Sequence, residues 1–186
     1  MTATHSPYKS ANISNEAVKA RTGKTWTEWY ELFDAAGAVK MTHREIVAIA
    51  SRHEAGSWWQ QMVTVGYEQA RGLREKNMSC EGTYQVNVTK TLNAPVEVVF
   101  EAWNDPVRRI EWLPGADLTI RKATPAKSLR ITWNPGENLD VNLFAKGDCK
   151  CTCSAEHSKF KNPADVERLR SFWSDALNRL KSQVEA

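Results

Sequence analysis

The chain has 186 residues, 41% of them apolar and 25% charged, with a formal net charge of +3. That profile fits an ordinary globular protein of one medium or two small domains, and four cysteines are too few for a disulfide scaffold, so thiols are expected. The small positive excess is spread along the chain, which argues against a nucleic-acid partner.

The opening residues, MTATHSPYKSANIS, lack the apolar stretch of a signal peptide, and no run is long and apolar enough to cross a bilayer. A cytoplasmic location of the bacterial type, with no membrane contact, is the resulting expectation. Asn15 to Arg21 reads as a short helix that Gly23 ends. The tripeptide Gly23-Lys24-Thr25 raises the question of a phosphate-binding loop. Such a loop needs its first glycine at position 18, which is Val18, and a strand before it, which is missing. The same letters suit a helix start, with Thr25 as N-cap and Glu28 reaching back in a capping box.

Three helices follow: Thr25 to Ala36, ended by Gly37; Thr42 to about His53, opened by a second box, Thr42 with Glu45; and Ser57 to Arg71, opened by a third, Ser57 with Gln60. In the last helix Trp59, Met62, Val63, Gly66 and Ala70 share one stripe, widened by Trp58 and Val65. Helix, glycine turn, helix also describes a DNA-reading motif. Its reading helix would present Trp58 and Trp59 where polar groups should meet bases, and basic and acidic residues are equal in number between Thr22 and Lys76. A stripe this wide in so small a bundle points instead to packing against the second half of the chain or a second copy, and Trp58 and Trp59 offer a surface for a homodimer or a protein partner.

Residues 72 to 82 read as a linker. The period then changes from 3.6 to 2 at Tyr84, Val86 and Val88, a strand with one buried face. A helix from Asn93-Ala94-Pro95 runs to Asn104-Asp105-Pro106, and a second, Val107 to Trp112, ends at Leu113-Pro114-Gly115. Four more strands are predicted, at Leu118 to Ala123, Leu129 to Trp133, Leu139 to Ala145 and Cys149 to His157, separated by turn signals. A long helix closes the chain, capped by Asn162 with Pro163 at its first position. Its stripe is Val166, Leu169, Trp173, Ala176, Leu177, Leu180 and Val184. The fold class is α+β: a helical domain over 14–75, a bundle of three to four helices, and a domain over 83–184 in which a curved antiparallel sheet packs on the terminal helix.

The segment TLNAPVEVVFEAWNDP (Thr91 to Pro106), followed by Ile110-Glu111-Trp112, resembles the opening of START-like (SRPBCC) domains, most closely the branch named for the activator of the heat-shock protein 90 ATPase. FWSDALNRLK (Phe172 to Lys181) is similar to the closing helix of that branch. The helical first half resembles a small domain of unknown function that precedes such domains in bacterial proteins. The resemblance implies a helix-grip fold with a cavity between sheet and helix, which relatives use to hold apolar or amphipathic molecules. Here Trp112 leads into Leu118 within six residues, which implies fewer strands than many members have and a smaller cavity, or one that the helical half helps to wall.

Strand alternation sorts the residues facing that space: Tyr84, Val86, Val88; Leu118, Ile120; Leu129, Ile131, Trp133; Leu139, Val141, Leu143; and Cys149, Cys151, Cys153, Ala155, His157. Asp140 and Glu156 point away, so no carboxylate faces inward. General acid–base hydrolysis needs titratable groups that converge, and only His157, with Lys90 and Lys122 at strand ends, offers itself. Cys149, Cys151 and Cys153 alternate along a strand at about 7 Å spacing. Tetrahedral zinc needs sulfurs within about 4 Å of one another, so the thiols fill space and hold no metal. The expectation is a non-catalytic protein, without cofactor, that holds a small apolar or amphipathic ligand between sheet and helix. Trp112, Trp133, Leu143, His157, Leu169 and Trp173 are its wall, with His157 as the polar anchor. The alternatives are a protein-interaction or chaperone-accessory module with a filled cavity and, disfavoured by the lack of inward acids, a cyclase or hydrolase.

Overall fold

The computed structural model describes residues 9–10, 13–53 and 55–186. Most of the stretch read for a targeting leader lies outside them. The chain divides into two compact units, Met1–Lys76 and Asn77–Ala186.

The first unit opens with a two-stranded antiparallel ladder of β1 (Lys9–Ser10) and β2 (Ile13–Ser14), which the sequence reading, helical throughout this half, did not anticipate. Two residues per strand carry no readable alternation. Four helices follow: α1 (Asn15–Thr22), α2 (Trp26–Ala35), α3 (His43–Ala50) and α4 (Ser57–Ala70), with 3₁₀ turns at Ala38–Lys40 and Ser51–His53. Gly23 ends α1 at φ 75°, a left-handed conformation natural for glycine. Both Thr25 with Glu28 and Thr42 with Glu45 close their capping boxes, satisfying otherwise orphaned N–H groups at the starts of α2 and α3.

The third expected box does not form. Gly56 is the N-cap of α4, Ser57 is already helical, and the Gln60 amide turns back to the Ala55 carbonyl. The buried face of α4 also differs from the expected stripe. Val63 and Gly66 are buried as expected, but Thr64, Tyr67 and Glu68 join them, while Trp58 is 57% exposed. Trp26, Trp29, Phe33, Ile46 and Tyr67 anchor the core. Their polar tips are satisfied: the Trp29 indole N–H donates to Thr22 Oγ1 at 2.8 Å, and the Trp26 N–H donates to the Ile13 carbonyl at 2.9 Å.

The second unit comprises β3 (Tyr84–Leu92), α5 (Val96–Asn104), α6 (Pro106–Trp112), β4 (Leu118–Thr124), β5 (Ser128–Trp133), β6 (Asn138–Ala145), β7 (Cys151–Phe160) and α7 (Asp165–Val184). Its five strands form one antiparallel sheet in the order β3-β7-β6-β5-β4. Pro106 occupies the first turn of α6, where its missing N–H is harmless, and the Asp105 side chain accepts from the Val107 N–H at 2.8 Å. Helix α7 starts at Asp165, two residues later than Pro163. Asn162 Oδ1 accepts from the Ala164 N–H at 3.1 Å and holds those residues in a turn.

Burial along the strands follows the alternation read from the sequence, with one correction. Cys149 lies before β7 and is exposed, so it does not face inward. Helix α7 buries Val166, Leu169, Trp173, Ala176, Leu177 and Leu180. At roughly 1.5–3 kcal/mol for each large side chain, this stripe is a principal hold between helix and sheet.

Lys159 sits inside β7 at φ 70°, where the register with β3 shifts by one residue. A side chain in that conformation costs about 1–2 kcal/mol, which glycine escapes while losing some strand propensity. Lys159→Gly is therefore expected to raise the unfolding free energy by about 1 kcal/mol in urea denaturation. A loss of stability would contradict this account of the bulge.

Candidate functional site

The inner face of the second unit is built from the middle of its sheet. Leu129 and Ile131 on β5, Leu139, Val141 and Leu143 on β6, and Cys151, Cys153, Ala155 and His157 on β7 are all buried. Helix α5 adds Val99, Phe100 and Trp103, α6 adds Trp112, and α7 adds Leu169 and Trp173, all in one apolar cluster.

The indoles are joined through ring contacts. Trp103 meets Trp112 edge to face at 4.5 Å and stacks beside Trp173 at 6.1 Å. Trp133 meets Trp173 at 4.9 Å and His157 at 5.7 Å, with Phe172 at 5.8 Å. The Trp112 N–H donates to the Ala102 carbonyl at 3.0 Å, and the Trp112 carbonyl accepts from Arg179 Nε on α7 at 2.8 Å, tying α6 to both neighbours. Trp103 Nε1 has no hydrogen-bond partner of ordinary geometry and faces the Cys153 thiol, a weak acceptor.

Among the described residues of this unit, His157 is the buried histidine, and it is wholly enclosed. Val86 and Leu139 flank it across the sheet. The Trp173 indole N–H points at His157 Nδ1 at 3.0 Å, and His157 Nε2 lies 2.9 Å from Glu137 Oε2. An indole nitrogen can only donate, so Nδ1 must be the bare, accepting nitrogen; the proton then sits on Nε2 and is donated to the carboxylate. One tautomer satisfies both contacts. Burial pushes the His157 pKa below its ordinary value, an effect the Glu137 carboxylate partly offsets.

Glu137 reaches this position through a tight turn. Trp133 N–H donates to the Glu137 carbonyl at 3.1 Å and Glu137 N–H to the Asn134 carbonyl at 3.2 Å, while Asn134 and Gly136 take φ of 55° and 92°. Asn and Gly are the residues that accept such angles most readily. At the same end of the sheet, where Leu118 pairs with Trp133, a pocket of about 180 Å³ is lined by Asp117, Leu118, Thr119, Thr132, Asn134 and Pro135.

Of the six residues singled out from sequence, Trp133, His157 and Trp173 touch one another, and Trp112 joins them through Trp103. Leu143 and Leu169 belong to the same apolar cluster without sharing in the ring contacts. Of the two lysines, Lys90 pairs with Cys153 further along β7, and Lys122 is exposed on edge strand β4, so no cluster forms with His157. The sequence reading missed Trp103, Phe172 and Glu137. Trp103 was within reach, since Val96, Val99, Phe100 and Trp103 recur at helical spacing. Glu137 carried no signal, because its role depends on where a turn folds.

Burial raises the Cys153 thiol to about 12 and also pushes Cys151 up. At neutral pH both are protonated, which suits neither a nucleophile nor a metal ligand.

No family model matches the chain, and no curated protein does. Solved structures do match. A protein from Mesorhizobium loti superposes with a TM-score of 0.50 at 17% identity, over 54% of this chain and 96% of that one. The likeness is one of fold: the second unit has an α+β helix-grip fold, a five-stranded antiparallel sheet packed on the long helix α7. Two further structures similar to the chain are the Aha1 dimer from Colwellia psychrerythraea (TM-score 0.49, 15% identity, 54% and 96% covered) and an AHSA1-like protein from Rhizobium etli (0.46, 19%, 58% and 84%). Among the described residues, no helix of either unit is long and apolar enough to cross a membrane.

Proposed function

We propose that the START-like unit is a non-catalytic binding domain for a small apolar or amphipathic molecule, held between sheet and α7 against Trp112, Trp133, Leu143, His157, Leu169 and Trp173. The observation that carries the reading is the state of His157. Both of its ring nitrogens are already engaged, by Trp173 and by Glu137, so it has no free lone pair or proton with which to act on a bound molecule. The surroundings are aliphatic, aromatic and thiol groups, and the two buried thiols are protonated at neutral pH. Such a lining supplies shape and apolar area, the usual basis for holding a small molecule. Trp133, only partly buried while Trp173 is fully so, supplies the edge at which a ligand would enter.

Intrinsic tryptophan fluorescence during titration with dodecanoate and, separately, naphthalene tests this reading. Saturable quenching by either that is lost in Trp133→Ala is expected, together with a small molecule retained in native mass spectrometry of freshly purified protein. A flat titration and a clean apo mass would overturn it. The second reading is an interaction module that meets a second copy or another protein through Trp58 and Trp59. It draws on the exposure of the Trp58 indole, which packs edge to face on Trp59 at 4.8 Å. Dimer or partner peaks in the same spectra, lost in Trp58→Ser, would favour it.

A further inference from the structure

We propose that Glu137, His157 and Trp173 form a pH-operated latch that fastens α7 to the sheet near neutrality and releases it in mild acid. For a proton added to the imidazole, the geometry leaves one place. His157 Nε2 already carries one, donated to Glu137 at 2.9 Å, so a second must go to Nδ1. That atom accepts the Trp173 N–H at 3.0 Å. Protonation sets two donors against each other in a wholly buried place, and the indole or the imidazole must turn away.

The surroundings decide how readily this happens. Strands β3 and β6 present Val86 and Leu139 beside the ring, and β5 presents Trp133. None carries charge. From the β5–β6 turn comes Glu137, whose carboxylate favours the imidazolium. From α7 comes Arg168, which opposes it and is itself bonded to Asp165 at 2.9 Å. Burial is the larger influence and keeps the ring neutral. The unfolded chain therefore takes up the proton first as pH falls below about 6.5, and the folded state loses stability from there down to the depressed folded value. Glu137 is the group through which solvent reaches the latch, since its side chain is 28% exposed while His157 is closed.

Trp173 is an informative reporter because its N–H is the group that loses its partner. In ¹⁵N-labelled full-length protein, the Trp173 indole resonance, assigned through Trp173→Phe, is followed from about pH 8 to about pH 5. We expect its protection against exchange with water, corrected for the intrinsic pH dependence of indole exchange, to fall by about tenfold or more through the His157 transition. His157→Gln, whose amide can both accept from Trp173 and donate to Glu137, is expected to abolish the response. Glu137→Gln lies on a turn and keeps an acceptor while losing the charge, and it is expected to move the midpoint to lower pH. An indole signal indifferent to pH in the wild-type protein, the same acid response in His157→Gln, or an unmoved midpoint in Glu137→Gln would each overturn the latch.

Discussion

Trp173→Ala is expected to lower the stability of the second unit by about 3–5 kcal/mol, the range for deleting a large buried aromatic side chain. Trp173 is fully buried, touches Trp103, Trp133, Phe172 and His157, and belongs to the stripe by which α7 holds the sheet. Two effects contribute: lost contact with those rings, and an unpaired His157 Nδ1 left inside. Trp173→Phe separates them. Phenylalanine keeps most of the packing but cannot donate, so a smaller loss of about 1–3 kcal/mol is expected from the orphaned acceptor, with some cavity. Urea unfolding of the full chain followed by far-UV circular dichroism measures both. An alanine variant within about 1 kcal/mol of wild type would mean that α7 is not held as described here.

Glu68→Ala should be comparably damaging in the first unit. Glu68 is only 6% exposed on α4, and its carboxylate lies 2.7 Å from Arg74 Nε and 2.9 Å from His43 Nδ1. His43 Nε2 in turn meets Gln61 Oε1 at 2.8 Å. The cluster links the start of α3, the last turn of α4 and the segment leaving α4. Removing one partner of a buried ion pair leaves the other uncompensated, which typically costs about 3–5 kcal/mol. Glu68→Gln, whose carbonyl can still accept from Arg74, should lose clearly less. Equal losses in the two variants would show that volume, and not charge, matters at this position.

Much of the fold was legible in particular residues. Thr25 with Glu28 and Thr42 with Glu45 marked helix starts because a capping box is a local device, closed within four residues. Tyr84, Val86, Leu139, Val141 and Ala155 could be assigned to the inner face because strand alternation is strict. The failures were also local. Ser57 with Gln60 has the letters of a box, but Gly56 let the helix start one residue earlier. Cys149 continues the alternation of Cys151 and Cys153, yet it lies outside β7 and is exposed.

The candidate site was legible in its apolar half only. Trp112, Trp133 and Trp173 declared themselves by position on helices and strands, whereas Glu137 looked like any acid in a turn. Buried Glu68 likewise looked like one more charge on a helix.

What the chain determined by itself was periodicity: which residues are helical, which alternate, and which face of each element is apolar. These follow from interactions spanning a few residues, which any short stretch carries with it. Tertiary structure decided which polar groups meet. Hydrogen bonds over 2.9 Å between Glu137 and His157, and over 3.0 Å between His157 and Trp173, join positions 20 and 16 residues apart. No local pattern encodes such a meeting, because each partner would be equally content in water until folding removes the water and leaves it one neighbour to bond.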